Sequence, residues 1–386
     1  MNKTVGKTEQ REHREPLVRI ARRDGVSAGR RIGVRAASIV LALILDAFFI
    51  VVVTGLNPFA VYAEIFKATF GTGLRFMWML RDMAALLCIG VALAPAFKMR
   101  FWNIGAEGQV LMGGFATAMC MMFLGQKLPT PVLFLVMVLA SLAAGALWSF
   151  FPAFFKANWN TNETLFTLMM NYVAIQIVAY ATNILRGQAS SLGTINMGSK
   201  IGWFPKLFGY DFTLNILIVA VLTAAMYVYL KYTKHGYEIA VVGESEKTAR
   251  YAGIDVKKVT IRTLLLSGAI CGLCGFIIVA GNKHTISTNT AGGDGFTAII
   301  VAWLAKFNTF TMALISFLLI FLEKGAGQIA STYGLNEYIS DIISGIILFC
   351  ILGSEFFLNY RMIFRHKEES RENRARDEEK KGGGAA

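Results

Sequence analysis

Two acidic residues stand beside glycine inside apolar runs of the chain, Glu107 in NIGAEGQVLMGG (103–114) and Asp294 in NTAGGDGFTAIIVA (289–302). A carboxylate in such surroundings is costly unless it binds a polar molecule or pairs with protein groups. Two interpretations therefore stay open for Glu107. Its carboxylate either contacts a polar solute or bonds the backbone of an interrupted helix, and the same alternatives apply to Asp294.

Amide side chains accompany these acids. They can donate to and accept from hydroxyls or bases of a solute, but polar contacts between membrane helices, worth about 0.6–2 kcal/mol, are a common alternative use. The solute-contacting residues predicted from the sequence are Asn103, Glu107, Gln109, Asn171 and Asp294.

Motifs for enzymatic chemistry find no support in the sequence. The only GKT, at positions 6–8, lacks the first Walker glycine and a preceding strand. Cys271 and Cys274 form C-x-x-C inside an apolar run, which is typical of small packing residues. The histidines are scattered without metal-ligand spacing; they are His13, His235, His284 and His366. No catalytic residue, metal site or bound cofactor is predicted.

Composition indicates that these residues are held by membrane helices. Residues of the apolar set make up 55% of the 386 positions and charged residues only 16%. Soluble domains carry about 25% charged residues, and a spanning helix needs roughly 20 mainly apolar positions. The apolar runs are 37–54, 76–97, 104–124, 131–155, 164–184, 213–230, 263–281, 296–305, 309–322 and 337–353.

The net charge of +13 is concentrated outside the apolar runs. Of the 38 Lys and Arg, 25 lie in residues 1–36, in residues 231–262 or from Arg361 onward. The positive-inside rule places such segments in the cytoplasm. A folded basic face with interleaved aromatics is missing, so nucleic-acid binding is not expected. Cytoplasmic tails at both ends require an even number of crossings, which agrees with ten.

The segments around Glu107 and Asp294 are similar in sequence, and they would have opposite orientations in this topology. Inverted repeats with broken helices are a common architecture of transporters. Because 296–305 is too short to span alone, it either crosses incompletely or re-enters. We therefore predict an all-α integral membrane protein of about ten transmembrane helices, with an inverted repeat and broken or short helices. The predicted domains are a basic tail (1–36), a membrane domain (37–355) and a charged tail (356–386).

The basic loop 231–262 has the features of a docking element. Ser245 is a suitable N-cap for a short helix with Glu246 in its first turn, and Gly253 is a stop signal. Ala249 and Ala252 are predicted to form a small, close-packing side. Such a helix either meets another protein or belongs to an ordinary solvated loop.

Several of these strings together resemble one family. FWNIGAEGQ (101–109), NETLFTLMMNY (162–172) and HGYEIAVVGESEKTARYAGI (235–254) resemble the permeases of sugar and nucleoside ATP-binding-cassette importers, of the branched-chain amino acid and ribose type, and the nucleoside branch most closely. SGAICGLCGFI (267–277) and GFTAIIVAWLAKFN (295–308) fit the same pattern.

The resemblance implies a half-transporter in the bacterial plasma membrane. It pairs with a second permease, as a heterodimer, docks an ATPase subunit that supplies ATP hydrolysis, and receives solute from an external binding protein. The ATPase-coupling residues that it implies are Glu244, Ser245, Glu246, Lys247, Ala249, Arg250, Ala252, Gly253 and Ile254.

An ion-gradient-driven secondary transporter is the alternative. The predicted inverted repeat favours this alternative, and so do the acidic residues Asp46, Glu107 and Asp294. The loop 231–262 favours the importer, because a gradient-driven carrier needs no docking helix.

Overall fold

A computed structural model describes residues 18–22, 27–189, 191–207, 209–210 and 212–364. The chain divides into two compact units, one formed by residues 1–62 with 334–386 and the other by residues 63–333.

The first unit pairs the two ends of the chain. Strand β1 (Val18–Arg22) precedes helix α1 (Ala28–Thr54), and helix α13 (Glu337–Asn359) precedes strand β2 (Tyr360–Phe364). The strands are antiparallel, with Val18 opposite Phe364. This ribbon lies within the segments 1–36 and 356–386 predicted as tails, and the all-α prediction did not include it. Asp46 of α1 is fully buried, and no described group bonds its carboxylate.

The second unit contains the remaining helices. Helix α2 (Pro58–Phe70) begins in the first unit and ends in the second. The others are α3 (Gly73–Lys98), α4 (Ala106–Phe123), α5 (Thr130–Trp159), α6 (Glu163–Arg186), α7 (Thr213–Tyr232), α8 (Lys234–Glu244), α9 (Glu246–Tyr251), α10 (Val256–Ile278) with a π-helical extension (Val279–Lys283), α11 (Asp294–Leu304) and α12 (Thr309–Tyr333).

Small residues hold α5 and α10 in close contact. A β-carbon on Gly145 would lie 2.1 Å from the carbonyl oxygen of Gly268 and 2.8 Å from the Cα of Gly272. Ser149 reinforces the contact by donating its hydroxyl to the carbonyl of Leu264 at 2.8 Å. Membrane helices associate through such backbone approaches, because lipid provides no hydrophobic drive between them.

The prediction that helices form the membrane domain is confirmed. Among the described residues, seven helices are long and apolar enough to cross a membrane: α1 from Ala36, α3, α5, α6, α7, α10 with its π-helical extension, and α12. Helix α11 has 11 residues and spans about 16 Å, so it cannot cross a core about 30 Å thick. Non-helical segments at 101–105 and 284–293 interrupt the helical path before α4 and α11.

Candidate functional site

The two predicted acidic segments meet in space. Glu107, in the first turn of α4, accepts hydrogen bonds from the backbone N–H of Gly293 and of Gly295, each at 2.9 Å and each to a different carboxylate oxygen. These donors belong to the beginning of α11. The positive ends of both helix dipoles therefore converge on one carboxylate, a stabilising arrangement for a negative charge. We call this arrangement the Glu107 clasp.

Glycine is required where the two helices meet. A β-carbon on Gly295 would lie 2.5 Å from the backbone nitrogen of Glu107, and Gly293 has a φ of +87°. On the α4 side, a β-carbon on Gly108 would lie 2.9 Å from the side-chain oxygen of Asn171. Glycines beside the acids in both sequence segments thus permit the close backbone approach.

The predicted amide residues support the non-helical segment before α4. Asn171 accepts from the backbone N–H of Gly108 at 2.8 Å and donates to the carbonyl of Ile104 at 2.9 Å. Asn103 accepts from the N–H of Gly105 at 3.0 Å and exchanges hydrogen bonds with Gln109 at 3.2 and 3.3 Å. The three amide side chains are at most 1% exposed. Their polar atoms thus satisfy the protein's own groups in this structure.

Asp294 takes a different position from the other four predicted residues. It is partly exposed in a cavity of about 350 Å³ between α3, α12 and the segment that leads into α11. We call this the charged cavity, because its lining includes six charged side chains: Arg81, Asp82, Lys283, Asp294, Glu323 and Lys324.

An ion-pair chain organises the charged cavity. The carboxylate of Asp82 lies 2.7 Å from the Nε of Arg81 and 2.5 Å from the Nζ of Lys324, and so joins α3 to α12. Arg81, Asp82 and Lys324 are not among the residues predicted from the sequence. The available signal was the adjacent charge pairs RD and EK within membrane-length helices, where charge is rare and usually functional.

The short helix predicted within the loop 231–262 is present as α9. The Ser245 hydroxyl accepts from the backbone N–H of Thr248 at 3.3 Å, and Gly253 follows the helix with a φ of +76°. Ala249 is fully buried within the chain, whereas Ala252 lies past the helix end and is exposed. The prediction that both alanines share one packing side is therefore wrong, since the backbone leaves the helix between them.

Residues 244–254 are called the coupling segment below, after the role that the family resemblance implies for them. The outward face of this segment is polar with one prominent aromatic. Glu246, Lys247 and Arg250 are exposed, and Tyr251 is 92% exposed. Beside it lies a groove of about 610 Å³, whose walls are residues 99–101, the end of α5, the beginning of α6 and the beginning of α10. Tyrosine is one of the residue types enriched at protein-binding surfaces.

Two titratable groups flank the coupling segment. The backbone N–H of Lys258, which donates to Asp255, and then its ammonium hold the pKa of Asp255 below its usual value. Burial, followed by the charge of Arg262, lowers the pKa of His235, which also contacts the hydroxyl of Tyr229. These contacts fix the corners at which the loop leaves α7 and enters α10.

The helices around the coupling segment begin or end at one side of the second unit. Lys98, Leu230 and Thr309 line one small cavity, and a β-carbon on Gly243 would lie 2.1 Å from the carbonyl oxygen of Lys98. At the other end, Asn196 donates to the carbonyl of Met121, and Phe204 donates its N–H to the carbonyl of Ala280. The described residues of the loop 187–212 therefore lie over the end opposite the coupling segment.

Membrane-length helices interrupted at polar groups define a multi-pass membrane transporter subunit. The chain belongs to a family described as "Branched-chain amino acid transport system / permease component", which matches residues 77–352. It is 29% identical to the glucose ABC transporter permease protein TsgB13 of Haloferax volcanii, over 84% of this chain and 88% of that protein.

Two further relatives carry nucleoside names. The guanosine ABC transporter permease protein NupP of Bacillus subtilis is 29% identical, over 82% of this chain and 92% of its own length. The nucleoside ABC transporter permease protein NupB of Lactococcus lactis is 26% identical, over 83% of this chain and 91% of its own length. The resemblance to the ABC permease family is confirmed.

Proposed function

We propose that this protein forms the solute path of an ATP-binding-cassette importer for a nucleoside or a simple sugar. The observation that carries the proposal is the coupling segment, a capped and partly buried helix with an exposed polar face on a chain of the permease family. The names of the relatives support the solute class, since they specify glucose, guanosine and nucleosides.

In the proposed topology the chain crosses the bacterial plasma membrane ten times, with both ends in the cytoplasm. Helices α4, α11 and α13 join the seven membrane-length helices, with α4 and α11 as the two broken elements of an inverted repeat. The pairing of β1 with β2 supports a common side for both chain ends. The basic loop 231–262 supports a cytoplasmic coupling segment.

The proposed partners follow from this placement. An ATPase subunit contacts the exposed residues of the coupling segment, and Ala249 and Ile254 hold the segment to its own chain. ATP acts through that ATPase, and this chain binds no cofactor itself. A second permease completes a heterodimer, and an external binding protein delivers solute to the opposite end.

Motion of the coupling segment has a short physical route to the broken helices. Gly243 packs on the end of α3, and Gly90 of α3 packs on α11, where a β-carbon added to Gly90 would lie 3.4 Å from a methyl group of Val301. Nucleotide-driven displacement of the ATPase is therefore expected to move α3 and α11 together. Such rigid shifts of packed helices are the usual basis of alternating access.

The test replaces the exposed tyrosine of the coupling segment. Tyr251→Ala should lower ATP-dependent uptake of labelled guanosine or glucose at least tenfold in proteoliposomes that contain the ATPase, second permease and binding protein encoded beside this chain. Tyr237→Ala, at an exposed tyrosine of α8 outside the coupling segment, is the matched control and should retain uptake. Membrane levels of both variants should equal that of the parent.

The ion-gradient carrier is tested in the same vesicles. The intramembrane acids Asp46 and Asp294 favour it. If the chain alone concentrates guanosine or glucose on a proton or sodium gradient, or if Tyr251→Ala leaves ATP-dependent uptake unchanged, the importer proposal is wrong.

A further inference from the structure

The charged cavity lies deep within the length of its helices. Asp82 is about 24 Å from Lys98 along α3, and Lys324 is about 22 Å from Thr309 along α12, at about 1.5 Å per residue. Lys98 and Thr309 mark the coupling-segment end. Both measurements place the ion pair in the half of the second unit that faces away from the coupling segment.

Charge at this depth cannot face hydrocarbon without a large penalty. The side chains of Arg81, Asp82 and Lys324 are nonetheless 24%, 19% and 35% exposed. The cavity must therefore open to water or to a polar partner surface. It contrasts with the exposed face of α5, where Leu135, Leu139 and Leu147 present a surface suited to lipid.

The side chains that line the charged cavity are suited to bind a neutral polar molecule. Three basic and three acidic side chains offer both donors and acceptors. A charged solute would meet like charges among them, whereas a neutral polar solute can use these donors and acceptors without that repulsion. The volume of about 350 Å³ lies near the lower end of the roughly 300–1,000 Å³ typical of small-molecule sites.

One wall of the cavity is a loop fixed by a lysine. Lys283 donates its ammonium to the carbonyls of Asn289 and Thr290 at 3.2 and 2.9 Å, so the later part of the segment before α11 is held against the end of the π-helical extension. Gly292 and Gly293 follow with positive φ values of +69° and +87° and lead into Asp294. The cavity is thus built partly from the broken helix, the element expected to move during transport.

We propose that the charged cavity is the solute-binding pocket of this subunit, and that it takes an uncharged, hydroxyl-rich solute from the end opposite the coupling segment. The inference rests on the proposed function and names its site. Asp82, Lys324 and Asp294 provide the solute contacts, and they replace Asn103, Glu107, Gln109 and Asn171 in that role.

The first experiment asks whether water reaches the cavity and needs no transport activity. Ala85 lines the cavity one helical turn from Asp82 and is partly exposed. In intact cells, Ala85→Cys should react with a membrane-impermeant charged thiosulfonate at least tenfold faster than the matched lipid-facing variant Leu139→Cys. The parent chain controls for Cys120, which is also partly exposed. If Ala85→Cys is as unreactive as Leu139→Cys, the proposal is overturned.

The second experiment tests the solute class on the same variant. Guanosine or glucose should slow the labelling of Ala85→Cys at least threefold, whereas guanosine monophosphate should not. Protection by the nucleotide alone, or by none of the three, contradicts a pocket for neutral solutes. A protein that is labelled and protected but shows no ATP-dependent uptake would instead contradict the proposed importer and leave the pocket established.

Discussion

The Glu107 clasp and the charged cavity lie side by side at the beginning of α11 but use polar groups differently. Glu107 is 7% exposed, and each of its carboxylate oxygens accepts a backbone N–H. In the charged cavity, Asp82 pairs with two cations while its side chain stays 19% exposed. In the first region the carboxylate is enclosed and accepts hydrogen bonds from backbone N–H groups. The second region is open, so its side chains can contact a ligand.

This difference shows how to interpret polar residues in membrane segments. A broken helix leaves backbone groups without partners, and in lipid these must be satisfied internally. The most buried polar residues, such as Asn103 and Asn171, do this work. Residues that remain partly exposed at membrane depth, such as Lys324, are the better candidates for contact with solute.

The largest effect is expected when the clasp is removed. Glu107→Ala leaves two backbone N–H groups without an acceptor and removes two charge-assisted hydrogen bonds. At roughly 1.5–3 kcal/mol for each such bond, the free energy of unfolding should fall by about 4 kcal/mol. Thermal melting of the purified protein in detergent, together with the yield of monodisperse protein, measures the loss.

Glu107→Gln is the control for the clasp. It keeps one carbonyl acceptor and should lose about half as much stability. If Glu107→Ala melts like the parent and only uptake falls, Glu107 contacts solute and the distinction between the two regions fails.

An intermediate effect is expected in the charged cavity, on uptake more than on stability. Lys324→Gln leaves Asp82 paired with Arg81 and should lower guanosine or glucose uptake about tenfold, which corresponds to about 1.4 kcal/mol. Asp82→Asn leaves both cations without their shared carboxylate and should have a larger effect on uptake. Membrane levels of both variants should match the parent. A parallel loss of protein level would assign the ion pairs to folding.

The smallest effect lies at the coupling end and depends on pH. Because burial lowers the folded-state pKa of His235 below its usual 6.5, the unfolded state binds the proton more tightly. The contribution of neutral His235 to the free energy of unfolding should therefore be fully present above about pH 6.5 and be lost as the pH falls below that value. Melting at about pH 7.5 and about pH 5.5 measures the change, and His235→Gln should reduce it. An equal pH response of the variant would show that other groups are responsible.

Local features of the fold were predictable because they depend on neighbours in sequence. Ser245 caps α9 through an N–H only three residues away, and Gly253 ends the same segment. Seven of the ten predicted apolar runs likewise coincide with the membrane-length helices among the described residues. The burial of Ala249 without Ala252 was not predictable, since it depends on where the chain leaves α9.

The sequence by itself determined that this chain spans a membrane, where its helices break and which loop resembles a docking element, because length, hydropathy and capping act over a few residues. Only the tertiary structure decided what the polar residues do. Glu107 finds its donors 186 and 188 residues away, and Lys324 of α12 finds Asp82 of α3. Such partners are chosen by helix packing in three dimensions, which determines whether a carboxylate is closed around backbone groups or open to a solute.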